Sequence, residues 1–238
     1  MLRWIYPVTC VVCGESAPLY LCDSCREKLP HVPRPLCLYC GAATFGRASE
    51  PDRCEACAPF TRPYSWARSA LVLEGETRRL VHDLKYHRAS YLATPLADVL
   101  YRLWQSNPRV ASRQDWALVP VPIDSRRHYE RGYNQAALLA KELGRMLGFP
   151  VVEPLTRLLS EEDKRSMTRL SARARQQNAN KVYALSPSWP REAASLPPHL
   201  VLVDDVYTTG ATARACARVL ASLPGVQEVG VLTVARAM

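Results

Sequence analysis

Val201-Leu-Val-Asp-Asp-Val-Tyr-Thr-Thr-Gly-Ala-Thr212 reads as an apolar strand, two adjacent acids, a short loop carrying hydroxyls and a glycine, and the start of a helix. Side chains alternate across a strand, so Asp204 and Asp205 point in different directions, and at least one reaches a polyol held above the strand tip. Thr208, Thr209, Gly210, Ala211 and Thr212 then offer backbone N–H groups, three hydroxyls and a helix N-terminus. A helix N-terminus favours an anion because its N–H groups are unpaired and its dipole is positive there. Acids for a sugar's hydroxyls beside a cradle for its phosphate imply a ribose-5-phosphate site. An ordinary buried strand running into an N-cap accounts for neither the double acid nor the clustered hydroxyls.

Working outward, residues 66–73 read as a strand broken by Gly75. Residues 77–87 read as a helix with Leu80, Val81 and Leu84 on one side, and a second helix covers 92–105. Trp116 to Pro122 is an apolar strand ended by prolines. Residues 123–133 read as a basic loop, followed by a helix over 134–147 that Gly148 caps. A short strand near Val151 leads into a polar stretch, 158–181, read as a mobile loop; 186–198 is a proline-bearing surface loop. Strand 200–204, helix 211–223 and strand 227–234 complete the pattern. Strands alternating with helices predict an α/β domain with a mainly parallel sheet flanked by helices, which binds ligands at the strands' carboxyl ends.

The N-terminal quarter is different. Eight of the nine cysteines fall in four Cys-x-x-Cys pairs: Cys10/Cys13, Cys22/Cys25, Cys37/Cys40 and Cys54/Cys57. Two-residue spacing lets both thiolates of a pair bind one ion, and two pairs complete a tetrahedron. Gly14 and Gly41 supply the permissive backbone that such knuckles need. The pattern predicts two structural Zn²⁺ sites in tandem ribbons. Sequential pairing is preferred, and an interleaved cross-brace satisfies the same spacing. Disulfides and iron–sulfur ligation are the competing readings; the lack of a secretion signal and the repeated knuckles weigh against them. Residues 1–60 then form a metal module whose ions supply its folding energy, and residues 61–238 form the α/β domain. Cys216 stands apart as a core thiol.

The chain has 238 residues, 48% of them hydrophobic, and a formal charge of +9. That suffices for one α/β domain plus a small module. With no run of 18 apolar residues and no signal-peptide pattern, a cytoplasmic protein without membrane insertion is expected. Arg126, Arg127 and Arg131 follow the 116–122 strand as a cluster of cations suited to an anionic group. Lys85 and Tyr86 end a helix and are further site candidates. His31, His82, His87, His128 and His199 show no metal-ligand spacing.

The 201–212 segment resembles the 5-phosphoribosyl-1-pyrophosphate (PRPP) signature of type I phosphoribosyltransferases. Several segments together resemble the competence protein F (ComF) family over essentially the whole chain. They are the paired ribbons, Leu84-Lys85-Tyr86, Arg131-Gly132-Tyr133-Asn134-Gln135, Leu170-Ser171-Ala172-Arg173 with Asn178, and the acid pair with its loop. Ser166-Met167 departs from the Ser/Thr-Gln pair that the family often carries before its Leu-Ser. The resemblance implies a type I phosphoribosyltransferase fold with a zinc module, binding PRPP or a nucleotide together with Mg²⁺. It also implies a role in handling imported single-stranded DNA alongside DNA-uptake proteins, in transformation or in using DNA as a nutrient. On this reading Asp204 and Asp205 hold ribose hydroxyls and metal, residues 208–212 hold the 5-phosphate, and the three arginines hold pyrophosphate, with Asn134 a further candidate. The alternative is a phosphoribosyltransferase of nucleotide metabolism acting on a base or amine acceptor.

Overall fold

The computed structural model describes residues 8–44, 53–57, 63–158, 182–189 and 196–238. A short helix in the metal module, α1 (Asp23–Glu27), precedes β1 (Trp66–Val72), α2 (Gly75–Tyr86), a 3₁₀ turn at Ser90–Leu92, α3 (Ala93–Gln105) and α4 (Pro108–Ala111). Then follow β2 (Trp116–Pro120), α5 (Ser125–Arg131), α6 (Gln135–Leu147), β3 (Leu155–Arg157), β4 (Tyr183–Leu185), β5 (His199–Tyr207), α7 (Ala211–Ala221) and β6 (Glu228–Arg236). The main sheet has the order β1-β6-β5-β2 with every pair parallel, and β3 pairs antiparallel with β4.

Burial on both faces explains why β5 reads as a continuous apolar run. Val201 and Val203 join Leu232 and Val234 in a core packed by α2, α3 and α6. Leu200 and Leu202 join Ala117, Val119 and Val231 in a second core against α7, through Ala213, Cys216, Ala217 and Leu220. The alternation carries into the acids, so Asp204 faces α7 and Asp205 faces α2. At the strands' amino ends Trp66, Trp104, Trp116 and Phe149 form an edge-to-face aromatic cluster, with Trp66 lying over Gly230, where a Cβ would collide with the indole.

The metal module straddles β1. Leu21, Cys25 and Leu29 pack into the α2/α3 side, whereas Cys37, Cys40 and Cys57 pack into the α7 side. Between them the chain runs along the outer edge of β1. Val72 N–H donates to Pro30 O (2.6 Å), Val32 N–H to Ala70 O (3.2 Å) and Ala67 N–H to Tyr39 O (2.6 Å). Arg236 reaches across to Cys40 O (2.8 Å). Buried Arg26 clamps the other side through Asp23 and Asp98, the latter at 3.2 Å. The opposite sheet edge is closed by Pro150–Val152, which exchanges backbone hydrogen bonds with Leu118.

The expected architecture is present, with local differences. Residues 125–131 are helical rather than a loop. Asp124 Oδ1 caps Arg127 N–H at 2.8 Å, an Arg126–Glu130 pair spans one turn at 2.8 Å, and Gly132 at φ +80° ends the helix. Strand β5 runs to Tyr207, past both acids, so they lie within its last turns of pleat. The strand expected near Val151 is a single bridge, and pairing continues instead in the β3–β4 hairpin. Most of the 158–181 stretch, including Arg165 to Asn178, lies outside the described residues, as does part of 186–198.

Candidate functional site

Each cysteine tetrad closes on itself in sequence order: Cys10, Cys13, Cys22 and Cys25 form one cluster, and Cys37, Cys40, Cys54 and Cys57 the other, with the sulfurs of each within 4.8 Å of one another. All nine thiols are free of disulfides. Burial opposes ionisation of Cys10, but N–H donors from Cys13, Cys22 and Val12 outweigh it and lower the thiol to about 6. Its neighbours Cys13 and Cys22 push Cys25 up to about 12. Four thiolates cannot share so small a space without a cation, and tetrahedral thiolate sets of this kind fit structural zinc.

The second site lies where β5, α7, α2 and α5 converge. Asp205 is 4% exposed, and its Oδ2 meets Lys85 Nζ at 2.7 Å. Asp204 sits on the opposite face. Burial, reinforced by the Asp205 charge, raises its carboxyl well above the ordinary range. Its Oδ1 accepts Asp205 N–H at 2.9 Å. Asp204, Thr208 to Ala213, Val121 and Thr233 line a small pocket.

The loop between β5 and α7 leaves the N-terminus of α7 without a side-chain cap. Gly210 adopts φ +73° as the N-cap of α7, where a Cβ would run into the Tyr207 hydroxyl. No side chain caps the helix, and no acid lies in its first turn. The exposed Thr209 offers only a long contact, Ala211 N–H to Oγ1 at 3.3 Å. Arg214, one turn in, donates to Thr209 O at 2.8 Å. A cation there opposes the helix dipole, which an anion at the N-terminus would offset.

The three arginines of α5 separate. Arg126 and Arg127 are exposed, paired with Glu130 at 2.8 Å and Asp124 at 3.4 Å. Arg131 is buried; it donates to Gln135 Oε1 at 2.8 Å and lies 5.0 Å from the centre of the Tyr86 ring. Asn134 caps α6, accepting Ala136 N–H and donating to Val121 O, both at 3.0 Å. His82 and His87 meet Asp83 on the exposed side of α2, 3.8 and 2.9 Å from its Oδ1, although their five-residue spacing had not marked them as neighbours.

Three residues near the pocket were not identified from sequence. Tyr183 on β4 is buried, and that burial raises its hydroxyl above the usual phenol range. Arg157 on β3 lies 3.6 Å from Asp124 Oδ2. Arg214 carries the one signal that sequence offers, a cation in a helix's first turn; Arg157 and Tyr183 carry none, because a short hairpin between irregular segments leaves no periodic trace.

A family model described as the double zinc ribbon domain matches residues 1–58. Competence protein F of Haemophilus influenzae is 30% identical over 226 residues, covering 91% of this chain and 90% of that protein. The DNA utilization protein YhgH of Salmonella typhi is 33% identical over 213 residues, covering 84% and 90%. Competence protein ComFC of Bacillus subtilis is 28% identical over 207 residues, covering 84% and 77%. With four ordered cysteine pairs, a parallel α/β domain and this extent of shared sequence, the chain belongs to the competence protein F family.

Proposed function

We propose that the α/β domain binds PRPP and that the protein serves in the handling of DNA, a role consistent with relatives named for competence and for DNA utilization. The observation that carries the reading is the uncapped N-terminus of α7 directly after the Asp204–Asp205 pair. The Thr208–Thr212 loop holds the 5-phosphate through backbone N–H groups and hydroxyls, with Arg214 adding a cation. Asp205, paired with Lys85 at 2.7 Å, orients a ribose hydroxyl, and Asp204 contacts the sugar from the other side of the strand. Arg126 and Arg127 take the pyrophosphate end, while Arg131 holds the wall behind them. The carboxylates and hydroxyls form an all-oxygen donor set, which fits Mg²⁺; when bound with the ligand, that ion would neutralise diphosphate charge.

Isothermal titration with PRPP and Mg²⁺ tests the reading. Asp205→Asn is expected to weaken binding about 10- to 150-fold, the range for one charge-assisted contact. Absence of PRPP binding by the parent protein would refute it. Pyrophosphate release in the presence of base or amine acceptors then separates binding from transfer. Single-stranded DNA is the proposed partner of the exposed arginines, and competition between PRPP and an oligonucleotide tests whether the two share Arg126 and Arg127.

A further inference from the structure

Five positions apart on a continuous helix, two side chains diverge by about 140°. His82 and His87 are five apart at the end of α2, yet their ring centres come within 5.1 Å of each other. The helix stops there: His87 is its C-cap, and Arg88 takes the left-handed φ of +54° that commonly closes a helix. Asp83 is the residue both histidines meet. Its Oδ1 lies 2.9 Å from His87 Nδ1 and 3.8 Å from His82 Nδ1, and ligand atoms of all three residues lie within 4.8 Å of one another. An ion held by nitrogen and oxygen at about 2.1 Å, with tetrahedral or octahedral angles, sets its donors about 3.0–3.4 Å apart. The two observed separations bracket that range, so a small rotation of the His82 ring gives the three donors one centre.

The surroundings favour a cation at that centre. The cluster sits at the C-terminal end of α2, where the last carbonyls carry partial negative charge. Lys85, the basic residue of the last turn, is engaged by Asp205 at 2.7 Å. Arg79 lies 3.9 Å from Asp83 Oδ2, but Glu76 at 2.7 Å and Val11 O of the first ribbon at 2.8 Å hold it more closely. Asp83 Oδ1 therefore keeps its charge for the imidazoles. The His82 ring is set against Tyr86, 4.8 Å between ring centres, which supports it from the side.

We infer that His82, Asp83 and His87 form a third metal site, for a divalent late transition-metal ion such as Zn²⁺, separate from the two thiolate tetrads. Two imidazoles select this class of ion over Mg²⁺ and Ca²⁺, which take oxygen donors. Three protein ligands leave at least one position open, and both imidazoles are exposed, so water or an anionic oxygen completes the shell. The ion is exchangeable, unlike one enclosed by four thiolates.

The test uses zinc-loaded full-length protein, dialysed to remove loosely held ions, with Zn²⁺ alone as the probe in isothermal titration. The parent is expected to take up one further equivalent per chain. His82→Gln and His87→Gln are each expected to weaken that uptake at least about 10-fold, since even residues behind a metal's ligands cost that much. His31→Gln, which removes an exposed histidine outside the cluster, is expected to leave it unchanged. No further equivalent in the parent overturns the site. So does uptake that His82→Gln and His87→Gln do not weaken more than His31→Gln, which assigns the ion to scattered surface histidines. Imidazole NMR of the parent asks the same question without substitution: the His82 and His87 signals are expected to shift with added Zn²⁺ while that of His31 stays, and uniform shifts overturn the site. Unchanged ribbon zinc and equal melting temperatures exclude a folding artefact in the variants, whose substituted side chains are in solvent.

Discussion

Lys85 and Asp205 form a 2.7 Å ion pair between the last turn of α2 and strand β5, the carboxylate almost fully buried and the lysine a fifth exposed. Removing one partner strands the other. Lys85→Met is expected to cost about 3 kcal/mol, near the lower limit for breaking a buried pair. The double variant with Asp205→Asn should recover much of that loss. Urea unfolding of the four proteins in a double-mutant cycle measures the coupling; additive losses would contradict it.

Asp204 predicts a pH signature. Its carboxyl is raised by burial and then by the Asp205 charge, so the folded protein holds a proton there more tightly than the unfolded chain does. That contribution is fully present below pH about 4 and is lost as the pH rises through the raised value. Asp204→Asn removes the titration. The variant should gain stability relative to the parent at pH 8, with the gap closing toward pH 4, even as it weakens PRPP. Melting temperatures across that range decide it, and a pH-independent gap would count against the assignment.

The two ribbons predict about two zinc ions per chain by elemental analysis, and little iron. Stripping the metal should also reach the α/β domain. Amides of Ala67 and Val72 donate to Tyr39 O and Pro30 O in the module, whereas Leu73 donates to Arg236 O in the sheet. Hydrogen exchange should quicken at Ala67 and Val72 before Leu73. Equal quickening at all three would mean global unfolding instead.

Gly41 turns at φ +67°, and a Cβ there would sit 2.5 Å from Ala67 O on the sheet edge. The obstacle is backbone, so it cannot move aside cheaply. Gly41→Ala should therefore destabilise by about 2 kcal/mol or more, combining strain and overpacking. Gly14, at φ +78° with open space around it, should tolerate alanine at about half that cost. Thermal unfolding of the pair ranks them.

Oligonucleotide binding, which the proposed handling of DNA requires, should involve the α5 arginines unequally. Arg126→Ala and Arg127→Ala should each lower the slope of log affinity against log salt by about one phosphate's worth. Arg131→Gln should leave that slope alone, because its guanidinium is buried against Gln135 and Tyr86. A salt titration with a labelled single strand reads all three.

Much of this was legible before any coordinates. The apolar Val201–Val203 run marked a strand and the cysteine spacing marked the ribbons, but the sequence ended that strand at Asp204, whereas β5 runs on to Tyr207. The α5 helix was missed because its clustered arginines overshadowed its caps, Asp124 and Gly132, which are local signals present in the sequence. The split of Arg126 and Arg127 from Arg131 was not readable at all. Which face of a short helix turns inward depends on Gln135 and Tyr86, contributed by two other elements. Arg157 and Tyr183 come together only through pairing of β3 with β4 across a long stretch of chain, and such contacts have no local code.

The run of backbone bonds from Pro30, Val32 and Tyr39 to β1 has a consequence for the cell as well as for the fold. A parallel strand stripped of that cover presents unpaired N–H and C=O groups to any passing copy of itself. Metal shortage would then register as self-association of chains whose pocket is still intact. Removal of the metal is thus expected to raise self-association, which light scattering of stripped against zinc-loaded protein reads.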